Sequence, residues 1–254
     1  MPLYDGGRID FHTHVLPCVD DGSQSVHESV QMVRTLAASG VTGIVLTPHF
    51  YPSIDSPEAF TARRTAALAK LKEALASADF AVPTLIPGAE IEYFEGVSVI
   101  MEHPELRIGR SGCVLLEMPM GRWSSYVVDD IVDLCASGYC RVILAHVERY
   151  LFDQTRSTVN ALLENGVLMQ SNASFFTDRR TSGKAIRALK KGLIHLLGTD
   201  AHNMTVRPPN LGEACSVIEE RAGKEIAQEI MQGARYLLRA DLAAGVPHGQ
   251  TADL

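Results

Sequence analysis

The chain has 254 residues, of which 46% are hydrophobic, enough for one sizeable core. No apolar run approaches the roughly 18 residues that span a bilayer, so membrane insertion is not expected. The net charge of -7 lacks the basic footprint of a nucleic-acid binder and repels anionic ligands at long range, so a phosphate ligand needs strong local positive charge.

The five cysteines are odd in number and form no C-x-x-C pair. This argues against a disulfide framework and a thiolate zinc site and suits a reducing, cytoplasmic compartment. Residues 1–7 hold no signal-like apolar region. No linker or low-complexity segment divides the chain, so residues 1–254 are expected to form one domain, with the small, polar tail 245–254 frayed.

In chain order, the first expected strand is Arg8–His12, which leads into His14. Side chains two apart on a strand share a face, so His12 and His14 can ligate one metal ion. A helix follows, with Ser25 as its N-cap, Glu28 completing a capping box, a stripe of Val26, Val30, Val33 and Ala37, and Gly40 after its end. The second strand is Gly43–Thr47. The second helix opens Ser56-Pro57-Glu58, with proline at the first helical position, and runs to about Ala78. Further strands are expected at Thr84–Pro87, Val114–Glu117, Val142–His146, Val167–Ser171 and Ile194–Thr199. Further helices are expected near Ser125–Ser137, Thr155–Glu164, Gly183–Lys191, Pro209–Arg221 and Lys224–Ala240. Strands alternating with helices mean right-handed βαβ units and a parallel sheet, and about seven such units suggest a closed or nearly closed barrel.

The strand ends carry the chemistry. His12 and His14 end the first, His49 follows the second, Glu90 and Glu92 follow the third, and Glu117 ends the fourth. His146 and Glu148 end the fifth, Asn172 follows the sixth, and Asp200 and His202 end the seventh. In a parallel barrel these ends converge on the face where active sites lie. His12, His14, His49, His146 and His202, with Asp21, Glu90, Glu117 and Asp200, make nine ligand candidates. That is more than one ion uses, and suggests two or three. Histidine and carboxylate ligands without thiolates suit manganese, iron or zinc. A carboxylate such as Glu90 can bridge two ions, and a metal-bound water then becomes a hydroxide near neutral pH, ready for in-line attack on a phosphate ester.

These motifs resemble a known family. Ile9-Asp10-Phe11-His12-Thr13-His14, Leu16-Pro17-Cys18-Val19-Asp20-Asp21-Gly22, Thr47-Pro48-His49, Gly88-Ala89-Glu90-Ile91, Leu116-Glu117, Ala145-His146-Val147-Glu148-Arg149-Tyr150 and Thr199-Asp200-Ala201-His202-Asn203 look like the PHP (polymerase and histidinol phosphatase) superfamily. Within it, the chain is similar to the bacterial capsule and exopolysaccharide tyrosine phosphatases, to which Asp20-Asp21-Gly22, the His146–Tyr150 run and Arg207-Pro208-Pro209 are more specific. The resemblance covers about residues 8 to 240. It implies a distorted (βα)7 TIM-like barrel with three metal ions, Mn²⁺ before Fe or Zn. It places His12, His14, Glu90 and Asp200 on the first ion, Glu90, Glu117 and His146 on the second, and Asp21, His49 and His202 on the third. It implies that Arg149 and Arg207 bind substrate phosphate, with phosphotyrosine on the tail of a partner bacterial tyrosine kinase as substrate. A histidinol-phosphatase-like enzyme acting on small phosphate monoesters is the alternative.

Blander readings stand beside these. Asp20 reads as a turn residue before Gly22, and Glu92 and Glu148 as supporting or surface carboxylates. Arg149 has a competing reading as a rim ion-pair residue. Asn172 and Ser174 read equally as loop caps or as hydrogen-bond partners of the ligands. Phe175-Phe176 stands where the resembled branch often carries more polar residues, a departure that leaves the pocket wall and substrate preference open. His27, His103, His195 and His248 fall off the strand-end pattern and read as structural or solvated. Cys135-Ala136-Ser137-Gly138-Tyr139-Cys140-Arg141 fits the C-x-x-G-x-x-R loop of cysteine-dependent phosphatases. That loop needs a strand before the cysteine and a helix after it. The expected order here is the reverse, with Cys135 on the helix stripe of Val128, Ile131 and Val132, so it is expected to be a buried helix residue and no nucleophile.

Overall fold

The chain alternates short strands and helices through residues 6–239, the residues described by its structure, a computed structural model. The tail 245–254 and His248 lie outside them.

Strand β1 (Arg8–Thr13) pairs in parallel with β2 (Val41–Leu46), and α1 (Val26–Ala38) crosses between them. Proline cannot donate to a ladder, and at Pro48 the second strand breaks and resumes as β3 (His49–Phe50). After α2 (Pro57–Leu75), the third strand breaks at Gly88-Ala89 into β4 (Thr84–Pro87) and β5 (Glu90–Glu92). The breaks match, since β2 pairs with β4 and β3 with β5. Two amide bonds, Gly88 N to Leu46 O at 2.9 Å and Glu90 N to Pro48 O at 3.1 Å, carry the pairing across the gap. Each break re-aims a candidate ligand, His49 in one case and Glu90 in the other.

The remaining strands follow in order. They are β6 (Cys113–Glu117), β7 (Arg141–Leu144), β8 (Leu168–Asn172) and β9 (Leu196–Gly198), each parallel to its predecessor. Beyond β9, the Asp200 amide donates to His12 O at 2.8 Å and the His14 amide to Ala201 O at 2.9 Å, bringing the last strand back to the first. Seven parallel strand runs thus curl into the expected distorted barrel.

The crossovers are α3 (Ser125–Ala136), α4 (Arg156–Glu164), α5 (Ala173–Thr177) and α6 (Ser182–Lys190), and α7 (Leu211–Ala222) and α8 (Lys224–Arg239) close the outer layer. Between β5 and β6 the connection is two 3₁₀ turns, 97–102 and 104–106, in place of an α-helix. The single turn α5 was not expected from the sequence. In α1 the Ser25 cap forms, accepting from the Glu28 amide. The inward face, however, is Ser29, Met32, Val33 and Leu36, so the stripe predicted through Val26, Val30 and Ala37 is rotated toward the rim. In α3 the buried pair is Ile131 and Leu134. Cys135 is only half-buried, beside the core that these residues enter.

Ile9, Phe11, Val45, Ile86, Leu115, Ile143 and Leu196 come from six strands and form one apolar cluster with Ala234 and Leu237 of α8. This is the packed filling of a barrel. Two further clusters join the outer strand faces to the helices. With its lower part filled, the barrel presents polar side chains at the carboxyl ends of its strands.

Candidate metal centre

The first strand is not flat. Its pairing with β2 shifts register between Asp10 and Thr13, an irregularity that re-aims side chains and is frequent beside active sites. His12 and His14 nevertheless converge, with Nε2 atoms 3.1 Å apart. Their tautomers follow from their partners. His12 Nδ1 lies 3.0 Å from Gln170 Oε1, an oxygen that also accepts the His146 amide at 2.9 Å. His14 Nδ1 lies 2.7 Å from Asp20 Oδ2. Both partners are acceptors, so both Nδ1 atoms carry the proton and both Nε2 atoms present lone pairs. His202 follows suit, its Nδ1 donating to the Asp200 carbonyl at 2.9 Å.

Carboxylates meet these lone pairs. Glu90 Oε2 lies 3.0 Å from His12 Nε2 and 3.1 Å from His14 Nε2. Asp200 Oδ1 lies 3.6 and 3.4 Å from the same two nitrogens. His146 Nε2 is 2.8 Å from Glu90 Oε1 and 3.3 Å from Glu117 Oε1. His49 faces two ways, with Nδ1 3.2 Å from Glu90 Oε2 and Nε2 3.5 Å from Asp21 Oδ1. His202 Nε2 is 3.3 Å from Asp21 Oδ1.

All nine sequence-predicted ligands therefore gather in one place. Three groups have ligand atoms close enough to share an ion: His12, His14, Glu90 and Asp200; His49, Glu90 and Glu117; and His14, Asp21, His49 and His202. The last two groups depart from the expected division. His49 enters the group of Glu90 and Glu117, where His146 was expected, although His146 still touches both carboxylates. His14 joins the group of Asp21.

This donor set fits metal ions. Glu90 Oε2, Asp200 Oδ1 and His202 Nε2 are buried and have no hydrogen-bond partner. Lone-pair nitrogens facing carboxylate oxygens repel unless a cation lies between them. The electrostatics agree. Burial opposes the charge on Glu90, yet in the ion-free cluster His12 beside it, together with His14 and His146 when protonated, holds its pKa well below the ordinary carboxylate range. Burial likewise opposes charging His146, but Glu117 and Glu90 raise its pKa to about 9. The cluster attracts positive charge, whether from protons or metal.

Two backbone outliers mark the same place. Asp200 at φ +52° and His146 at φ +30° are left-handed non-glycine residues. Each such conformation costs about 1–3 kcal/mol and persists where the surroundings over-determine it.

Arg149 and Arg207 stand over the cluster. Arg149 donates to Glu117 Oε1 at 3.1 Å and to Asp200 Oδ2 at 3.3 Å, and Arg207 also donates to Asp200 Oδ2. Their side chains are 37% and 36% exposed, so both reach solvent at the mouth. Asp200 is divided between two tasks. Its Oδ1 faces the His12 and His14 nitrogens, while its Oδ2 takes both arginines and Asn172 Nδ2, the last at 2.8 Å.

Several residues differ from their sequence reading. Asp20 is no mere turn residue, since it orients His14 and accepts the His49 and Gly22 amides, each at 2.9 Å. Burial opposes its ionisation, but the hydrogen bond from His14 and these amides bring its pKa down to about 2. Gln170, which the sequence reading passed over, orients His12. Its signal was position, because Gln170 and Asn172 lie two apart on β8, a polar pair on one face of a strand. Asn172 is a partner of the ligand Asp200. Ser174 is exposed. Glu148 accepts from Ser171 Oγ at 3.0 Å and from the Asn172 amide at 3.1 Å, which fixes the end of β8. Glu92 is exposed. Phe175 and Phe176, on α5, are buried in the core. His27 and His103 pair locally with Gln31 and Glu105, while His195 Nδ1 accepts the Met169 amide.

Fold and cluster define a parallel barrel whose strand ends gather histidines and carboxylates around metal sites. Residues 8–239 match the family described as Capsular polysaccharide synthesis, CpsB/CapC, and the chain belongs to that family. It is 30% identical over 237 residues to the tyrosine-protein phosphatase YwqE of Bacillus subtilis (strain 168), covering 91% of each chain. To the tyrosine-protein phosphatase CpsB of Streptococcus pneumoniae it is 27% identical over 233 residues, 87% of this chain and 94% of that one. It superposes with a TM-score of 0.81, at 27% identity and over 91% of this chain and 94% of the other, on a structure from work on YwqE of Bacillus subtilis and CpsB of Streptococcus pneumoniae, described there as unique metal-dependent tyrosine phosphatases.

Proposed function

We propose that this chain is a metal-dependent protein-tyrosine phosphatase of capsular or exopolysaccharide synthesis. The observation that carries this reading is the convergence of lone-pair imidazole nitrogens and unpartnered carboxylate oxygens beneath two half-exposed arginines. His12, His14, Glu90 and Asp200 would hold one ion. Glu90 and Glu117, with His146 and His49 beside them, would hold a second. Asp21, His49 and His202, near His14, would hold a third. The donors are nitrogen and oxygen only, which suits Mn²⁺, with Fe and Zn as competitors, at two to three ions per chain. When bound, the ions supply Lewis acidity and lower the pKa of water.

The protein's own groups do the rest. Arg149 and Arg207 offer planar paired donors to the non-bridging phosphate oxygens, the local positive charge that an acidic chain needs. Asp200 ties both guanidiniums to the ligand cluster and so fixes the phosphorus relative to it. Gln170, Asp20 and the Asp200 carbonyl keep His12, His14 and His202 in the tautomer that presents Nε2. The substrate in this reading is phosphotyrosine on the tail of a bacterial tyrosine kinase, met in the cytoplasm. Among the described residues no helix is long and apolar enough to cross a membrane.

The test is hydrolysis of a phosphotyrosine peptide and of histidinol phosphate by chelator-treated protein and by the same protein resupplied with Mn²⁺. The expected outcome is peptide hydrolysis that is lost with the metal and returns with Mn²⁺. Preference for histidinol phosphate would move the reading to a small-molecule phosphomonoesterase. Activity in protein shown to be metal-free would overturn it.

A further inference from the structure

Arg207 stands on the Asp200 side of the cluster, and Arg149 spans from Asp200 to Glu117. On the His49 side stands Tyr51, a residue with no role in the mechanism above. Its ring stacks on the His49 imidazole, with centroids 5.1 Å apart and planes 21° from parallel. The ring is only partly buried, and among the described residues no hydrogen bond holds its hydroxyl. The backbone that presents it is tied down. The Ile54 and Asp55 amides both donate to the Tyr51 carbonyl, at 3.1 and 3.0 Å, and Asp55 pairs with Arg63 of α2. Phe50, the preceding residue, is buried and packs against Phe60 with ring centroids 5.3 Å apart. An aromatic ring is thus held on a fixed turn at the edge of a metal-ligand cluster, with part of its surface open to solvent.

We infer that Tyr51 is a specificity-determining residue, whose ring packs against the phenyl group of an aryl phosphate and selects it over alkyl phosphates. This rests on the phosphatase reading given above. Glu117 joins the two sides, since Arg149 donates to it at 3.1 Å and His49 Nδ1 lies 4.0 Å from it, so the ester group of a phosphate clamped by Arg149 and Arg207 would leave the cluster near the ring stacked on His49. A phosphotyrosine ring there meets an aromatic surface already aligned by His49. A phosphoserine or glycerol phosphate has no ring to offer. Aromatic pairs prefer offset-stacked or edge-to-face contact, and the side chain pays little entropy because its turn is already fixed. The contact bears on the leaving group and not on the phosphoryl oxygens, so it separates substrates by their alcohol.

The experiment measures inhibition of phosphotyrosine-peptide hydrolysis by phenylphosphonate and by methylphosphonate, in wild type, Tyr51→Phe and Tyr51→Ala. Metal content is checked in each protein by elemental analysis. The ratio of the two inhibition constants reports ring recognition alone, since both compounds offer the same phosphonate to the arginines and metals. Tyr51→Ala should reduce the preference for phenylphosphonate by about three- to tenfold, with metal content unchanged. Tyr51→Phe, which keeps the ring, should retain the preference. A Tyr51→Ala protein that binds both phosphonates more weakly by the same factor, or loses metal, would show a residue acting only through His49 and overturn the inference. An unchanged ratio would overturn it too, while leaving the phosphatase reading intact. A wild type that does not hydrolyse the peptide removes that reading, and this inference with it.

Discussion

At the scale of single residues, the site depends on side chains that never face a substrate. Asp20 Oδ2 accepts from His14 Nδ1 at 2.7 Å, and outer partners of this kind typically change metal affinity by about 10- to 100-fold. Asp20→Ala should weaken metal binding by that factor in a chelator-competition titration while the fold, followed by circular dichroism, persists. Unchanged affinity would remove its orienting role. Arg149 and Arg207 make a different claim. Charge-assisted hydrogen bonds contribute about 1.5–3 kcal/mol, so Arg149→Ala and Arg207→Ala should each lower kcat/KM on a phosphotyrosine peptide by about 10- to 100-fold, and Arg149→Lys should already be harmful. Wild-type kcat/KM in both alanine variants would mean there is no clamp. The C-x-x-G-x-x-R motif is resolved at this scale as well. Cys135 lies in the last turn of helix α3, ahead of strand β7, and burial pushes its thiol up to about 11. Its thiolate fraction near neutral pH is about a hundredfold below that of an unshifted thiol. Cys135→Ser should keep most of its kcat, and iodoacetamide should label exposed Cys18 first, with labelling of Cys135 rising only toward alkaline pH. A folded Cys135→Ser protein without turnover would restore the cysteine loop.

At the scale of elements, the meeting of β1 with β9 positions the first pair of ligands. Asp10 on β1 accepts the Thr199 amide at 2.8 Å and the Thr199 hydroxyl at 2.7 Å, just past β9. Gly198 makes the close approach possible. A Cβ there would lie 2.4 Å from His12 Cβ and 2.8 Å from His12 N, against backbone that has nowhere to go. Gly198→Ala should therefore push β1 from β9, costing about 1–3 kcal/mol in denaturant unfolding, and should lower metal content because His12 moves. Full metal content in this variant would mean that the ligand shell adapts independently of the strand contact. The broken strands are the other device at this scale. Pro48 and Gly88-Ala89 interrupt two neighbouring strands at the same level, and the ligands His49 and Glu90 follow the breaks at once.

At the scale of the whole molecule, ligands from six of the seven strand runs meet at one end, with β8 sending Gln170 and Asn172 to orient them, so metal binding is coupled to barrel closure. Ligands bound only by the folded state stabilise it by mass action, about 2.7 kcal/mol for one site at a hundredfold excess over Kd. Stripping the metal should lower Tm and abolish hydrolysis together, and Mn²⁺ should restore both. A Tm indifferent to chelator, in protein that elemental analysis finds loaded beforehand, would mean that the cluster contributes nothing to closure.

The sequence by itself determined the alternation of strand and helix, the caps at Ser25 and Ser56, and the recurrence of histidines and carboxylates at strand ends. These are local signals. A hydrophobic period or a capping side chain acts within a few residues, and a parallel barrel brings every strand end to one face whatever its exact register. Only the tertiary structure decided which atoms meet. The partner of His12 is Gln170, 158 residues away, and that of Asp10 is Thr199, 189 residues away. Neither pairing leaves a mark in the local pattern. The rotation of the α1 stripe, the register shift beneath His12, the burial of Phe175 and Phe176 and the stacking of Tyr51 on His49 were hidden for the same reason. Each depends on how the sheet twists and where its strands break, and those are settled by packing across the closed barrel.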